Sequence, residues 1–519
     1  MDQLDGAVVR TWAHAAADAL VRAAARIDAV NVFPVPDADT GTNVRLTVAG
    51  GALAAGRAPA TADAAQVAHA FARGSLRAAR GNSGVIVSQY LEGFAAALAD
   101  GRAGDGAEPV PDGAPLLAAA LVRAAAESAQ AVAEPQEGTV LTVAREVGER
   151  ARQAARAGAP LEAVLGPAVR HARHDLRRIS RDNPVLAEAG VVDAGACALL
   201  VLLDSLERTL RGDGVPVDPL DWLPGGPTGQ PLPPGHGISA GGTFEVMLLV
   251  RPPLPDPGLG DRLRTALGAV GRSVAVVGAD DLWHVHVHTD RPAAAVAAVA
   301  TAGAREQVVV RLVEGAAAQV AAGDDLGVVI GTPSPGTAAW FATGGAVVAV
   351  RCPETSVDAS HLLRAVTDTG ARHVVLLPGA PDLLDVARAV AATAGRGELS
   401  GVRVDVVEGA DDVLRTAVAS LALLGSHAAP SERADQAGAA LRRLRTGDIP
   451  EPVDVEVLLS RVGRVVADSP SAQSITLQHA EPVPNPSALL AAVAARVPQL
   501  DAVLVGPVGA GPAWRIGVD

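Results

Sequence analysis

From Asp5 to about Arg211, Ala, Leu and Val recur at three- and four-residue intervals with polar loops between them, the spacing of helices that each bury one stripe. The predicted helices span 6–29, 62–79, 84–99, 115–133, 138–157, 161–179 and 194–211, and strand-like alternation is nearly absent there. Residues 212–237 (GDGVPVDPLDWLPGGPTGQPLPPGHG) are too rich in Pro and Gly to continue a helix or a central strand, so they read as an interdomain linker. Beyond it the period changes to two. Stretches 243–251, 273–278, 283–288 and 307–313 read as strands, with helices at 258–270 and 291–302, the βαββαβ order of a ferredoxin-like split unit.

From Leu326 strands (326–331, 346–351, 373–378, 402–407) alternate with helices (336–342, 359–369, 381–394, 410–424). That alternation implies a doubly wound parallel sheet with any ligand at the carboxyl ends of its strands. Residues 428–485 carry no clear pattern, and the chain closes with a helix near 487–497 and strands at 501–505 and 513–518. The expected chain is multidomain: an all-α N-terminal domain (1–211), the linker (212–237), an α+β middle domain (238–322) and an α/β C-terminal region (323–519).

Composition narrows the chemistry. None of the 43 basic side chains is a Lys, which removes the Walker P-loop, the strand lysine of protein kinases and Schiff-base catalysis. A net charge of −14 with 2% aromatic residues argues against a phosphate-tracking, base-stacking surface, so nucleic acid is not an expected partner. Cys197 and Cys352 make no disulfide framework, and the first thirty residues, broken by Asp2, Asp5, Asp18 and Asp28, do not form a signal peptide. No apolar run reaches the roughly 18 residues that span a bilayer. The chain therefore reads as soluble and cytoplasmic, without a transmembrane segment.

Four short segments carry candidate chemistry. In N-V-F-P-V-P-D-A-D-T-G-T-N (31–43), Asp37 and Asp39 converge if the backbone turns at Ala38, a hard-oxygen pair suited to Mg²⁺; an Asp-rich turn capping the next helix through Asp39 or Thr40 is the other reading. A-R-G-N-S-G (79–84) opens an apolar helix, and its amides with Asn82 and Ser83 make either a phosphate cradle or an ordinary cap. E-G-T (137–139) and V-V-D-A-G-A (191–196) each precede an apolar helix and each also reads as a cap.

Taken together, in order and spacing, these segments resemble the nucleotide-binding domain of the dihydroxyacetone-kinase-like (DhaL/DAK2) family, and in particular the ATP-binding subunits of bacterial fatty acid kinases. D-L-W-H-V-H-V-H-T-D (281–290) and the terminal W-R-I-G-V-D are similar to that branch's middle-domain strand and closing segment. The resemblance implies a DhaL-like barrel of antiparallel helices, a DegV-like C-terminal region, and Mg-ATP bound by an aspartate cluster in place of a P-loop. Asp37 and Asp39, with Asn31 as a third member, would then hold Mg²⁺. Asn43, Ser83 and Gly84 would hold phosphate oxygens, Thr42 and Asn82 would belong to the same nucleotide site, and Thr139, Asp193 and Gly195 would border the nucleoside.

The implied acceptor is the carboxylate of a fatty acid presented by a separate fatty-acid-binding carrier protein, and the product an acyl phosphate. The carrier is expected at the strand-end loops Thr332–Gly336 and Gly379–Asp382, and a homodimer through the middle domain. His284, His286 and His288 alternate along one strand. The resemblance implies Zn²⁺ on the latter two with a Cys from the domain's first strand, yet Gly242-Thr243-Phe244 offers none, leaving His284 as a substitute and an exposed His-rich face as the alternative.

Four departures are visible: Ala38 and Ala196 where the family has Gly, and R-C-P-E-T-S (351–356) and L-P-G-A-P-D (377–382) in place of Asn-rich loops. They leave two further functions to weigh against the kinase. One is a non-catalytic nucleotide- or lipid-sensing regulator. The other is a small-polyol kinase of the glycerone (dihydroxyacetone) type.

Overall fold

The structure, a computed structural model, describes residues 4–33, 38–101, 113–132, 135–223, 243–279, 281–313, 326–396, 399, 401–426 and 428–519. It has a helical N-terminal region and a mixed-sheet C-terminal region. Two compact units are formed, Met1–Gly241 with Pro252–Val287, and Gly242–Arg251 with His288–Asp519.

The first unit holds α1 (Gly6–Asp28), α2 (Thr40–Arg57), α3 (Ala64–Ala78), α4 (Gly81–Asp100), α5 (Ala114–Gln130), α6 (Val140–Arg156), α7 (Leu161–Val164), α8 (Gly166–Ser180), α9 (Pro184–Ala189) and α10 (Ala194–Arg211). Each of α1 to α6 packs on the next in sequence, α8 returns to α6, and α10 closes the set against α1. Trp12 on α1 marks the centre: it is fully buried, lies edge-on to Phe71 (α3) and Phe94 (α4), and donates its indole N–H to the Leu202 carbonyl of α10 at 2.9 Å. Because α10 is apolar almost all round, it is buried from Ala196 to Leu206.

Helix α2 was not anticipated, because Gly41, Gly50, Gly51 and Gly56 interrupt its apolar pattern and each costs a helix interior about 1 kcal/mol. Packing explains them: a Cβ on Gly51 would lie 2.1 Å from the Ser75 hydroxyl, so α2 and α3 meet where side chains are missing. The helix expected at 161–179 is two helices, broken at Leu165. The expected linker needs correcting in its first half. Leu220 is fully buried, Arg26 pairs with Asp218 at 2.7 Å and donates to the Leu223 carbonyl at 2.6 Å, and Arg173 stacks over Trp222, so residues 218–223 are docked on the helices.

In the order of the chain, β1 is Phe244–Arg251, α11 Leu259–Gly268, β2 Arg272–Ala279, β3 Leu282–Thr289, α12 Pro292–Ala298 and β4 Ala304–Leu312, which is the expected βαββαβ succession. Of these, α11, β2 and β3 as far as Val287 belong to the first unit. Beyond them come β5 (Leu326–Thr332), α13 (Pro335–Thr343), β6 (Val347–Val350), α14 (Ala359–Asp368), β7 (His373–Leu377), α15 (Leu384–Ala392), β8 (Arg403–Val406) and α16 (Val413–Leu424).

In the second unit the strands run β1-β4-β6-β5-β7-β8, with β6, β5, β7 and β8 mutually parallel. Val308–Val310 of β4 pair antiparallel with Val348–Val350 of β6, so the stretches on either side of the expected boundary at 322/323 share one sheet and one buried layer of Val. The unreadable stretch contains α17 (Pro430–Arg443), β9 (Arg445–Ile449), α18 (Val455–Ala467) and β10 (Ser474–His479). With α19 (Pro486–Arg496), β11 (Asp501–Val505) and β12 (Trp514–Val518) they form a second sheet ordered β11-β10-β12-β9. Among the described residues no helix is long and apolar enough to cross a membrane.

One buried carboxyl gives the first unit a pH signature. Glu92 on α4 has an enclosed oxygen with no hydrogen-bond partner among the described residues; burial pushes its pKa up to about 7, opposed by Arg73 and reinforced by Asp281. The fold therefore favours the protonated form. Its contribution is complete below about pH 4.5, the unfolded value, and is lost as pH rises through about 7. Glu92→Gln should match the parent at about pH 5 and melt above it at about pH 8, by roughly 2–4 °C for each kcal/mol regained. A melting difference that does not grow with pH would show that Glu92 is not held in the neutral form.

Candidate functional site

The exit of α1 and the entry of α2 meet at a carboxylate missed in the sequence. Asp28 accepts from the amides of Gly41 and Thr42 at 2.6 and 3.1 Å and from the Thr42 hydroxyl at 2.8 Å, so it caps α2 from outside. Burial raises its pKa, its hydrogen bonds oppose that rise, and the nearby charge of Asp39 adds to it. Asp39 occupies the cap position of α2 without a side-chain cap bond, and the Thr40 hydroxyl pairs instead with Ser83 at 3.2 Å, so neither makes the cap first expected of it. Asn31, Asp39 and Asn43 are all buried around this corner, while Asp37 lies outside the described residues. The fit to a divalent cation rests on the buried carboxylate of Asp39 beside that of Asp28, and on the electrostatic pressure between the two.

The two missing glycines differ in consequence. Ala196 is an ordinary helical residue whose amide donates to Asp193 at 2.7 Å. Ala38 has φ +55°, a left-handed conformation that costs a residue with a Cβ about 1–2 kcal/mol. Ala38→Gly should raise thermal stability by about 1 kcal/mol with turnover unchanged or higher; an unchanged or lower melting point would show that the strain is not there to relieve.

The first turns of α4, α6 and α10 converge on one cavity of about 580 Å³. Asn82 and Ser83 enter it from α4, Thr139 to Leu141 from α6, and Asp193 and Gly195 from α10, with Phe33, Ile86 and Val132 as apolar walls. Five of the residues singled out in the sequence, Asn82, Ser83, Thr139, Asp193 and Gly195, are thus gathered here. Thr42, Asn43 and Gly84 are not in its lining: the Thr42 hydroxyl serves Asp28, a Cβ on Gly81 would meet the Asn43 amide at 2.5 Å, and a Cβ on Gly84 would meet the Thr47 hydroxyl at 2.4 Å. The last two hold α2 close against the start of α4.

Each capping residue also has a structural task. Asp193 accepts from the amides of Ala196 and Val140, tying α10 to α6, and burial pushes its pKa up to about 6. Thr139 donates to the Gln136 carbonyl at 2.7 Å and accepts from Leu141 at 3.4 Å. Glu137 turns away from the cavity onto Arg145, in a two-pronged pair at 2.8 Å, and onto the Thr142 hydroxyl at 2.6 Å; those bonds lower its pKa to about 2. Gly138, at φ +78°, has no space for a Cβ, which would lie 2.6 Å from the Asn183 nitrogen. The E-G-T motif is thereby explained as a tight, pinned entry to α6.

Three helix N-termini, each equivalent to roughly half a positive charge, give this cavity a field for anions, and its apolar walls suit a ligand with a flat apolar body. The remaining wall is Arg264, Gly268, Gly271, Arg272, Ser273 and Val274, the corner between α11 and β2. No sequence motif marked that corner.

The three histidines of β3 are all buried, which excludes an exposed His-rich face. His284 donates its Nε2 proton to the Ala79 carbonyl at 3.1 Å, so this nitrogen does not stand in for the missing thiolate. Two residues from it, His286 shares the strand with His288, and His288 and Glu245 on β1 offer ligand atoms within 4.8 Å of each other. Glu245 also pairs with Arg311. The first strand thus supplies a carboxylate where the resemblance implies a Cys.

The expected docking loops are only partly exposed. Thr332 and Ser334 are buried, the Ser334 hydroxyl donates to the Pro507 carbonyl at 3.2 Å, and Gly336 lies so near that carbonyl that a Cβ would be 2.1 Å away. The chain itself covers this loop. Pro381 and Asp382 are exposed, Asp382 in a pair with Arg351.

The DAK2 domain family matches residues 34–208, and the FakA-like middle domain of fatty acid kinases matches 242–318. Protein YloV of Bacillus subtilis is 32% identical over 296 residues, 56% of this chain and 52% of its own. Uncharacterized proteins of Staphylococcus saprophyticus and Staphylococcus aureus are 31% and 29% identical, over 41% and 51% of this chain and 37% and 48% of theirs. The chain spans about half the length of these relatives or less.

Proposed function

We propose, from the premise that this chain is a DAK2-domain protein with a FakA-like middle domain, that it is an ATP- and Mg²⁺-dependent kinase subunit whose acceptor is the carboxylate of a fatty acid held by a separate acyl-binding protein. The observation that carries the reading is the convergence of three helix N-termini on one cavity beside the Asp39 corner. In this reading the first turn of α4, with Asn82 and Ser83, receives phosphate oxygens, and Thr139 with the Asp193–Gly195 turn borders the nucleoside. Asp37 and Asp39 are the Mg²⁺ ligands, and Asp28 fixes the backbone that presents Asp39. The bound metal supplies the charge neutralisation that a P-loop lysine supplies elsewhere, in keeping with a chain that has no lysine.

An oxygen of the acyl carboxylate attacks the γ-phosphorus in line, the bond to the bridging oxygen breaks, and ADP departs with that electron pair. Positioning dominates such a transfer, and the attacking oxygen has to come within about 3–3.5 Å of phosphorus. The test is ATP consumption by the purified chain with and without an acyl-binding carrier and fatty acid. Turnover that needs carrier, fatty acid and Mg²⁺ together supports the proposal. Turnover with glycerone alone, or none under any combination, contradicts it.

A further inference from the structure

We infer that the corner between α11 and β2 is a working wall of the nucleotide pocket, with Arg272 as the residue that grips the phosphate end of a nucleoside triphosphate. This rests on the reading of the cavity proposed above. Arg264 and Arg272 are the cations among the residues lining the cavity, and they come from outside the stretch that matches the DAK2 domain.

The corner is fixed in place by backbone: the Val276 amide donates to the Ala131 carbonyl at 3.4 Å, and Val132 bridges to Ala275, so β2 is fastened to the end of α5. The two arginines are not equivalent. Arg264 is anchored, donating to Asp261 at 3.0 Å and to the Val276 carbonyl at 3.4 Å, whereas Arg272 is exposed at the rim. The next residue, Ser273, has φ +50° and also lines the cavity. Backbone strain of that kind persists where the surroundings over-determine it, and it collects at ligand sites.

Chemistry selects the phosphate end. Mg-bound triphosphate keeps a net negative charge, the helix N-termini supply only partial charges, and a planar guanidinium meets two phosphate oxygens at once. The ribose and base offer no anion to match it.

The test is calorimetric titration of the full-length chain with Mg-ATP and with adenosine, for the parent, Arg272→Gln and Arg272→Lys, with melting curves to verify folding. Arg272→Gln should weaken ATP by about tenfold or more and leave adenosine within about twofold, and Arg272→Lys should recover part of the loss. Unchanged ATP affinity in a folded Arg272→Gln chain, or an equal loss for ATP and adenosine, would overturn the assignment. A folded parent that binds no ATP would instead overturn the reading of the cavity, and this assignment with it. Arg264→Gln serves as a second variant: a loss of ATP affinity accompanied by a lower melting point marks the anchoring role drawn above.

Discussion

Asp39→Asn is expected to reduce phosphoryl transfer by about a hundred- to a thousandfold, because losing a metal ligand forfeits several kcal/mol of charge stabilisation and each 1.36 kcal/mol is about a factor of ten. The fold should hardly notice. Asp28, not Asp39, makes the cap bonds of α2, and removing the Asp39 charge also relieves the like-charge pressure on Asp28. The measurement is kcat beside a melting curve. Near-normal turnover in a folded variant would remove Asp39 from the metal site, and a large fall in melting temperature would mean that its role is structural.

The second large effect concerns the closure of the helical unit. Trp12 joins α1 to α3, α4 and α10 through ring contacts at 5.3 and 5.1 Å and one indole hydrogen bond of 2.9 Å. Trp12→Ala removes the largest fully buried side chain, which should cost about 3–5 kcal/mol through lost transfer energy and an unfilled cavity. Melting should fall by roughly 10 °C. A fall of only a degree or two would show that the surrounding helices collapse into the space, and that closure does not depend on this residue.

Local chemistry made much of this molecule readable, and contacts between distant segments hid the rest. Helices α1 and α10 were evident because their apolar residues recur without interruption, and the strands from Phe244 to Val406 because Val-rich runs alternate with helical ones. Helix α2 was not, since its glycines serve a packing partner in α3 that no local pattern reports. The polar helix α17 and the exposed strand β9 bury too little to show a period.

The site follows the same division. Asn82, Ser83, Thr139, Asp193 and Gly195 could be singled out because each begins a helix, where composition is distinctive. Asp28 looked like one more acid at the end of a helix, and only the approach of Gly41 and Thr42 gives it a role. Arg272 and Ser273 reach the cavity from more than a hundred residues beyond Thr139, by way of a backbone bridge to Val132 that no motif encodes.

The most direct test of the central claim, that these helix N-termini form the nucleotide site, is amide hydrogen exchange of the full-length chain with and without Mg-ATP. Protection is expected at Gly81–Ser83, Val140–Leu141 and Ala194–Gly195, and at Gly271–Val274. Binding of Mg-ATP that leaves all of these amides exchanging as in the free chain, with protection at another location, would contradict the account.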